Sequence, residues 1–169
     1  MKRKGLVISL ILSTLIVVNI SAQTSKLQVA YIYNFTNLVD WPSIDRAGNF
    51  IIGVFGQDQT IVKEFTALAQ TRKIQGQNIE IKEFNDVSKI TKCHILFIPE
   101  KSVSNISAIE SKISNYNTLL ISDMPGSVSK GMAVSFIMKE GKLNFQLETR
   151  NAEKYGLKVS SNLENLALK

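Results

Sequence analysis

Apolar residues recur at helical spacing between Leu27 and Pro42, and they predict a helix packed on a core. Val29 and Tyr33 project to the other side of the helical wheel. The positions predicted to face the core are Leu27, Tyr31, Ile32, Phe35, Leu38 and Val39. Because a proline disfavours helical backbone at the preceding residue, we expect the helix to end at the Trp41-Pro42 corner.

Three later stretches are apolar at nearly every position, which is typical of strands buried on both faces of a sheet. They are Phe50–Gly56, Cys93–Ile98 and Thr118–Ile121. A further, less buried strand is predicted at Asn78–Phe84, and helices are predicted from Asp58 to about Gln70 and over Ser104–Asn115. Strands that alternate with helices in this way predict a single α/β domain, with a mostly parallel sheet covered by helices.

The C-terminal part has a different pattern, because apolar and polar residues alternate in Ala133–Met138 and again in Leu143–Leu147. A two-residue turn at Glu140-Gly141 places glycine where such a turn needs a positive φ angle. This register pairs Met138 with Leu143, Phe136 with Phe145, and Val134 with Leu147, all on one face. The sequence therefore predicts a C-terminal antiparallel β-hairpin.

The first 22 residues have the layout of a secretory signal peptide. A basic start is followed by an apolar run from Leu6 to Val18 and by the small residue Ala22 at the expected cleavage point. The apolar run is shorter than the roughly 20 residues of a membrane-spanning helix, which favours cleavage after Ala22 over an uncleaved anchor. The mature domain is then residues 23–169, and the protein is exported.

Without these residues, the chain has 147 residues and a formal net charge of +3. The basic residues are scattered, which argues against nucleic acid as a partner. Cys93 is the only cysteine and His94 the only histidine, so an internal disulfide is excluded and a four-ligand metal site is disfavoured. We predict no metal and no cofactor.

Cys93 and His94 are the residue types of a nucleophile and its base, but their spacing argues against catalysis. Neighbours in a strand point to opposite faces of the sheet, so the two side chains cannot meet. The chain also lacks the motifs of nucleotide-binding loops, serine hydrolases and zinc proteases. We therefore predict no catalytic residue and no enzymatic activity.

Three acidic residues, Asp58, Glu100 and Asp123, follow predicted strands. In an open α/β sheet, ligands bind beyond the carboxyl ends of the strands, so these residues form a candidate ligand edge. A simpler interpretation makes Asp58 a helix cap and Asp123 a turn former. The alternative function that this edge supports is an exported small-ligand sensor or solute-binding domain.

Seven short motifs follow one another along the chain. They are Tyr31–Phe35, Trp41-Pro42, Cys93–Ile98, Leu119–Asp123, Gly131–Phe136, Gly141–Phe145 and Gly156–Ser161. As a series they resemble the YfiR family, also called the DUF4154 domain, over essentially the whole mature chain. The resemblance implies a periplasmic regulator whose founding type represses a membrane-bound diguanylate cyclase by holding its periplasmic sensor region inactive. That repression lowers cyclic-di-GMP and limits biofilm formation.

The same resemblance implies partners for this chain, namely a membrane-bound diguanylate cyclase or sensor kinase, and a homodimer. Disulfide cysteines accompany redox sensing in the founding type, but Cys93 has no second cysteine to pair with. For the partner surface we predict Val29 and Tyr33 on the outward side of the first helix, together with Trp41. The competing interpretation is that the chain's own loops cover these side chains.

Overall fold

Strands and helices alternate along most of the chain. The structure is a computed structural model that describes residues 22–168. Its strands are β1 (Val39–Asp40), β2 (Phe50–Phe55), β3 (Lys73–Ile74), β4 (Gln77–Phe84), β5 (Ile95–Ile98), β6 (Leu119–Ser122), β7 (Val134–Lys139), β8 (Lys142–Leu147) and β9 (Lys158–Val159). Its α-helices are α1 (residues 22–35), α2 (Gln59–Thr71), α3 (Ile106–Ile113), α4 (Thr149–Glu153) and α5 (Ser161–Leu166). Short 3-10 helices cover Ser43–Arg46, Val87–Lys89, Glu100–Asn105 and Ser127–Lys130. The predicted signal peptide lies outside the described residues, apart from Ala22.

Within residues 22–168, seven strands form one sheet in the order β3-β4-β2-β5-β6-β7-β8. Neighbours from β4 to β7 are parallel, whereas β3 and β8 are antiparallel strands at the two edges. A separate antiparallel pair joins β1 to β9. The predicted single α/β domain with a mostly parallel sheet is confirmed.

Each face of the sheet is covered by its own helices, which explains why the central strands are apolar throughout. On β5, Ile95 and Phe97 pack in the cluster that includes α1 and α2, while Leu96 and Ile98 pack in the cluster that includes α3. Because successive side chains of a strand alternate between faces, a sheet covered on both sides needs apolar residues at every position.

The first helix differs from its prediction in both length and phase. α1 ends at Phe35, before the Trp-Pro corner, and a turn leads into β1. Val29, predicted to project outward, is 5% exposed and lies in the core, whereas Leu27, predicted to face the core, is 46% exposed. The buried positions of this helix are Ser25, Gln28, Val29, Ile32 and Phe35. The helical wheel assigned the face by hydrophobicity alone, but the true buried face carries two polar residues.

The C-terminal hairpin has the predicted register. Met138 pairs with Leu143 and Phe136 with Phe145, and the pair of Val134 with Leu147 completes the apolar face. Glu140 and Gly141 have φ angles of 53° and 73°, as a two-residue turn between twisted strands requires. Phe136 and Phe145 are buried beneath α1, where both rings contact Phe35.

Candidate functional site

Cys93 lies just before β5 and faces the α3 side of the sheet. Its thiol is buried, and this burial raises the pKa of Cys93 to about 12. Its backbone oxygen accepts a hydrogen bond from the Thr118 hydroxyl at 2.6 Å. Since the thiolate is the reactive form of cysteine, Cys93 is a packed and unreactive residue.

His94 faces the opposite side of the sheet, as its position next to Cys93 predicts. The Ile51 backbone N–H donates to Nδ1 at 2.9 Å, so Nε2 carries the proton and donates to the Asp45 backbone oxygen at 2.8 Å. The ring stacks on Phe50 with 4.3 Å between centroids. Burial lowers the pKa of His94, so the imidazole is neutral and holds the fold together.

Two further residues complete this cluster at the amino end of β5. The Trp41 indole donates to the His94 backbone oxygen at 3.2 Å. The Gln77 amide donates to the backbone oxygens of Asp45 and Gly48 at 3.2 Å each. The Asp45 carboxylate, which sequence reasoning missed, is buried and forms an ion pair with Lys92.

The three residues predicted to bind a partner are not displayed together. Trp41 is 4% exposed and its ring packs against Phe50, so Trp41 and Val29 are core residues that a partner cannot reach in this structure. The predicted outward position of Val29 is wrong, and Trp41, which was predicted to contribute to the partner surface, is buried as well, because both side chains pack in the core. Tyr33 is half-buried, and its hydroxyl donates to the Lys73 backbone oxygen at 3.4 Å on the surface.

The three acidic residues of the candidate ligand edge are brought together. The strand order reverses at β2, which lies between β4 and β5, and ligands bind beyond the carboxyl ends of strands at such a point. Asp58 and Asp123 line one cleft there, with a volume of about 700 Å³. Glu100 and Asp123 line a second cleft of about 700 Å³. We call the first the polar cleft and the second the apolar cleft.

Two of these acidic side chains also have local structural roles. Asp58 Oδ1 accepts hydrogen bonds from Thr60 N and Ile61 N at 3.1 Å, which caps α2 as predicted. Asp123 Oδ1 accepts from Glu100 N at 2.6 Å and ties the loop after β6 to the loop after β5. Burial raises the pKa of Asp123, and the charges of Asp58 and Glu100 raise it further.

Two loops approach each other closely beside the polar cleft, which Gln57 and Ser102 line. Gly56 follows β2 with a φ angle of 94°, and a Cβ atom there would collide with the Ser102 hydroxyl. Glycine is needed for both the backbone conformation and the contact. The loops after β2 and β5 therefore touch only because residue 56 has no side chain.

Sequence reasoning missed two residues that line this site from α1. Ser25 and Gln28 line the polar cleft, and Gln28 also lines the apolar cleft. They lie one helical turn apart, on the side of α1 that is buried. A detectable signal was the placement of two polar residues at helical spacing with Ile32 and Phe35.

Two kinds of feature are absent from residues 22–168. No group of three or more His, Cys, Asp or Glu side chains in that range could hold a metal ion. None of the helices described is long and apolar enough to span a bilayer.

Comparisons with known proteins identify the family. No curated protein matches the chain. The family model described as YfiR/HmsC-like, DUF4154, matches residues 25–168, which is nearly the whole chain. Because of this match, the chain belongs to the YfiR/HmsC-like family, and membership supports a general role as a periplasmic regulator.

Proposed function

We propose that the protein is a non-enzymatic periplasmic regulator that binds and represses the sensor region of a membrane signalling protein, such as a diguanylate cyclase. The observation that carries this proposal is the family match over residues 25–168. Repression would keep cyclic-di-GMP low and limit biofilm formation. Export with cleavage after Ala22 would give a periplasmic protein whose first residue is Gln23, which N-terminal sequencing tests.

The chemistry of the described residues supports binding rather than catalysis. The histidine and the cysteine lie on opposite faces of the sheet and are both buried. His94 uses both ring nitrogens in hydrogen bonds to backbone groups. Neither residue can take a proton from a substrate without breaking the packing around it.

For the partner surface, we retain Tyr33 and replace the two buried residues. Leu27 on α1 and Met138 at the end of β7 are large apolar side chains with 46% and 59% exposure. They line a common groove together with Tyr31. An interface that buries apolar side chains on α1 would use these residues. A homodimer is a second use of such a surface, and light scattering of the purified protein would show a doubled mass.

Capture from solubilised membranes tests the proposal. With the immobilised wild-type protein as bait, we expect a membrane diguanylate cyclase or sensor kinase to be enriched over bait-free resin. Tyr33→Ala should reduce the recovery while leaving the thermal midpoint nearly unchanged. Tyr116→Ala is the matched control, since Tyr116 is also half-buried but packs in the α3 cluster. Failure to enrich any membrane signalling protein would contradict the proposal.

A second candidate function, a small-ligand sensor, is favoured by the clefts at the point where the strand order reverses. Here the ligand edge predicted from sequence coincides with concave surface. A ligand bound there would lie against α1, so the two candidate functions are compatible: the ligand would change how α1 meets the partner.

A further inference from the structure

The polar and apolar clefts adjoin each other at the carboxyl ends of the central strands. They share Thr24, Gln28 and Asp123 as lining residues. Together they offer a ligand an acidic end and an apolar end. This inference rests on the second candidate function, because it names the class of ligand that such a sensor would take.

Buried polar side chains in the clefts lack hydrogen-bond partners. Gln28 is 5% exposed and Ser25 is 8% exposed, and no hydrogen bond joins either side chain to another of the described residues. The buried Oε1 atom of Gln146, which lines the apolar cleft, also has no partner within residues 22–168. Because Gln28 and Ser25 line the clefts with side chains that no described residue engages, a ligand bound there can supply their hydrogen-bond partners.

The charges of the polar cleft favour a cation. Asp58 and Asp123 line it, while Lys101 is the only basic residue that residues 22–168 contribute to its lining and is exposed. Each aspartate uses Oδ1 to accept from backbone N–H groups, which leaves Oδ2 available to accept from a ligand. With the amide oxygen of Gln28, the cleft offers three acceptors, which matches the three N–H donors of a primary ammonium group.

The lining of the apolar cleft indicates the chemistry of the remaining part of the ligand. Phe136, Met138, Leu143 and Pro125 line it next to the shared residues. A bare metal ion would leave this apolar surface unused, and the described residues hold no cluster of three or more acidic, histidine or cysteine side chains suited to a metal. An amine that carries an apolar group would use both clefts.

We propose that the adjoining clefts bind a small organic primary amine. Its ammonium group donates to Asp58, Asp123 and Gln28, and its apolar portion packs against Phe136 and Met138. Binding would satisfy the amide oxygen of Gln28 and neutralise part of the acidic charge. The ligand would also contact α1 directly, which carries Tyr33 on its far side.

Calorimetric titration of the purified protein with three probes tests the proposal. The probes are phenethylamine, the neutral phenethyl alcohol and the anionic phenylacetate. We expect phenethylamine to bind and the alcohol to bind at least about tenfold more weakly, because it lacks the positive charge. The variants Gln28→Leu and Asp123→Asn should each weaken amine binding at least about tenfold. Gln70→Leu, the same change at an exposed position of α2, should leave it unchanged.

The remaining outcomes separate the ligand class from the ligand site. If the alcohol or phenylacetate binds as tightly as the amine, with the same dependence on Gln28, the proposed ligand class is wrong, but the proposal of a small-ligand sensor is still supported. If no probe binds, both the ligand class and the ligand site are contradicted. Loss of binding with Gln70→Leu would mean that the probes act outside the clefts, which also overturns the proposal. Circular dichroism of each variant shows whether it is folded. If Gln28→Leu does not fold, Asp123→Asn tests the proposal in its place.

Discussion

Strand β5 has a polar cluster at each end, and the two clusters differ in how their groups are paired. At the amino end, His94, Trp41 and Gln77 all hydrogen-bond to backbone groups. At the carboxyl end, Gln28 and Ser25 are equally buried but have no hydrogen-bond partner among the described residues. Burial alone therefore does not distinguish a structural polar residue from a binding residue, whereas pairing does.

This difference predicts opposite consequences of substitution. Residues of the amino-end cluster should contribute to the free energy of unfolding and not to ligand binding. Residues of the carboxyl-end cluster should do the reverse, since a buried amide without a hydrogen-bond partner adds no favourable interaction to the folded state and carries a desolvation cost. The following substitutions test this contrast in order of decreasing effect on stability.

Trp41→Ala should have the largest effect. The change leaves a cavity beside Phe50 and removes the hydrogen bond to the His94 backbone oxygen. We expect the free energy of unfolding to fall by about 3–5 kcal/mol, as for other buried aromatic residues. Urea denaturation, monitored by circular dichroism, measures this change in the free energy of unfolding. A loss below about 1 kcal/mol would show that Trp41 is a surface residue after all, as the partner-binding prediction required.

Gln77→Leu and Gln28→Leu make the same change at two buried glutamines and give the sharpest contrast. Gln77→Leu removes the donor to the Gly48 backbone oxygen and one of the two donors to the Asp45 backbone oxygen, so we expect a loss of about 1–3 kcal/mol. Gln28→Leu removes an amide that has no partner, so the stability should stay within about 0.5 kcal/mol or rise. Urea denaturation of the two variants side by side measures both effects. Equal losses would mean that the two ends of β5 do not differ.

The pH dependence of stability should report on His94, the only histidine. Its pKa in the folded protein is lowered by burial, below the value of about 6.5 in an unfolded chain. Between these values the unfolded chain binds a proton that the folded protein does not. The free energy of unfolding should therefore be constant above about pH 6.5, fall as the pH drops below it, and level off below the folded-state pKa.

His94→Leu serves as the control for this pH effect. It should lower stability at neutral pH, because the Ile51 N–H loses its acceptor and the Asp45 backbone oxygen loses one of its two donors. It should also flatten the profile just below about pH 6.5. The raised pKa of Asp123 acts in the opposite direction, since the folded protein then holds the proton more tightly. Identical pH profiles of the wild type and His94→Leu between about pH 7 and 5 would contradict the neutral, buried His94.

The sequence predicts the sheet better than it predicts α1, and the reason is physical. Strands buried on both faces, such as Phe50–Phe55 and Ile95–Ile98, need apolar residues at every position, so composition alone reveals them. α1 is buried partly against the clefts, where polar residues line the surface. A rule that assigns apolar residues to the buried face then selects the wrong face of the helix. It predicted that Leu27 is buried and Val29 is exposed, whereas the structure shows the reverse.

The candidate site, like α1, could be predicted from the sequence only in part. Asp58, Glu100 and Asp123 could be found from sequence because the carboxyl ends of parallel strands meet at one edge. The helical spacing of Gln28 with Ile32 and Phe35 indicates that it is buried, but its significance depends on the absence of a partner, and pairing is a property of three-dimensional distances. The hydrogen bonds of His94 to Ile51 and Asp45 are likewise set by how the loop before β2 folds over β5.

Cyclic-di-GMP in cells that lack this protein tests periplasmic repression most directly. Deletion should raise the cellular concentration, and the wild-type gene supplied in trans should restore it, whereas Trp41→Ala should restore it less, because a destabilised protein accumulates to a lower folded level. Extraction followed by mass spectrometry measures the nucleotide. An unchanged concentration after deletion would contradict the repression of a diguanylate cyclase.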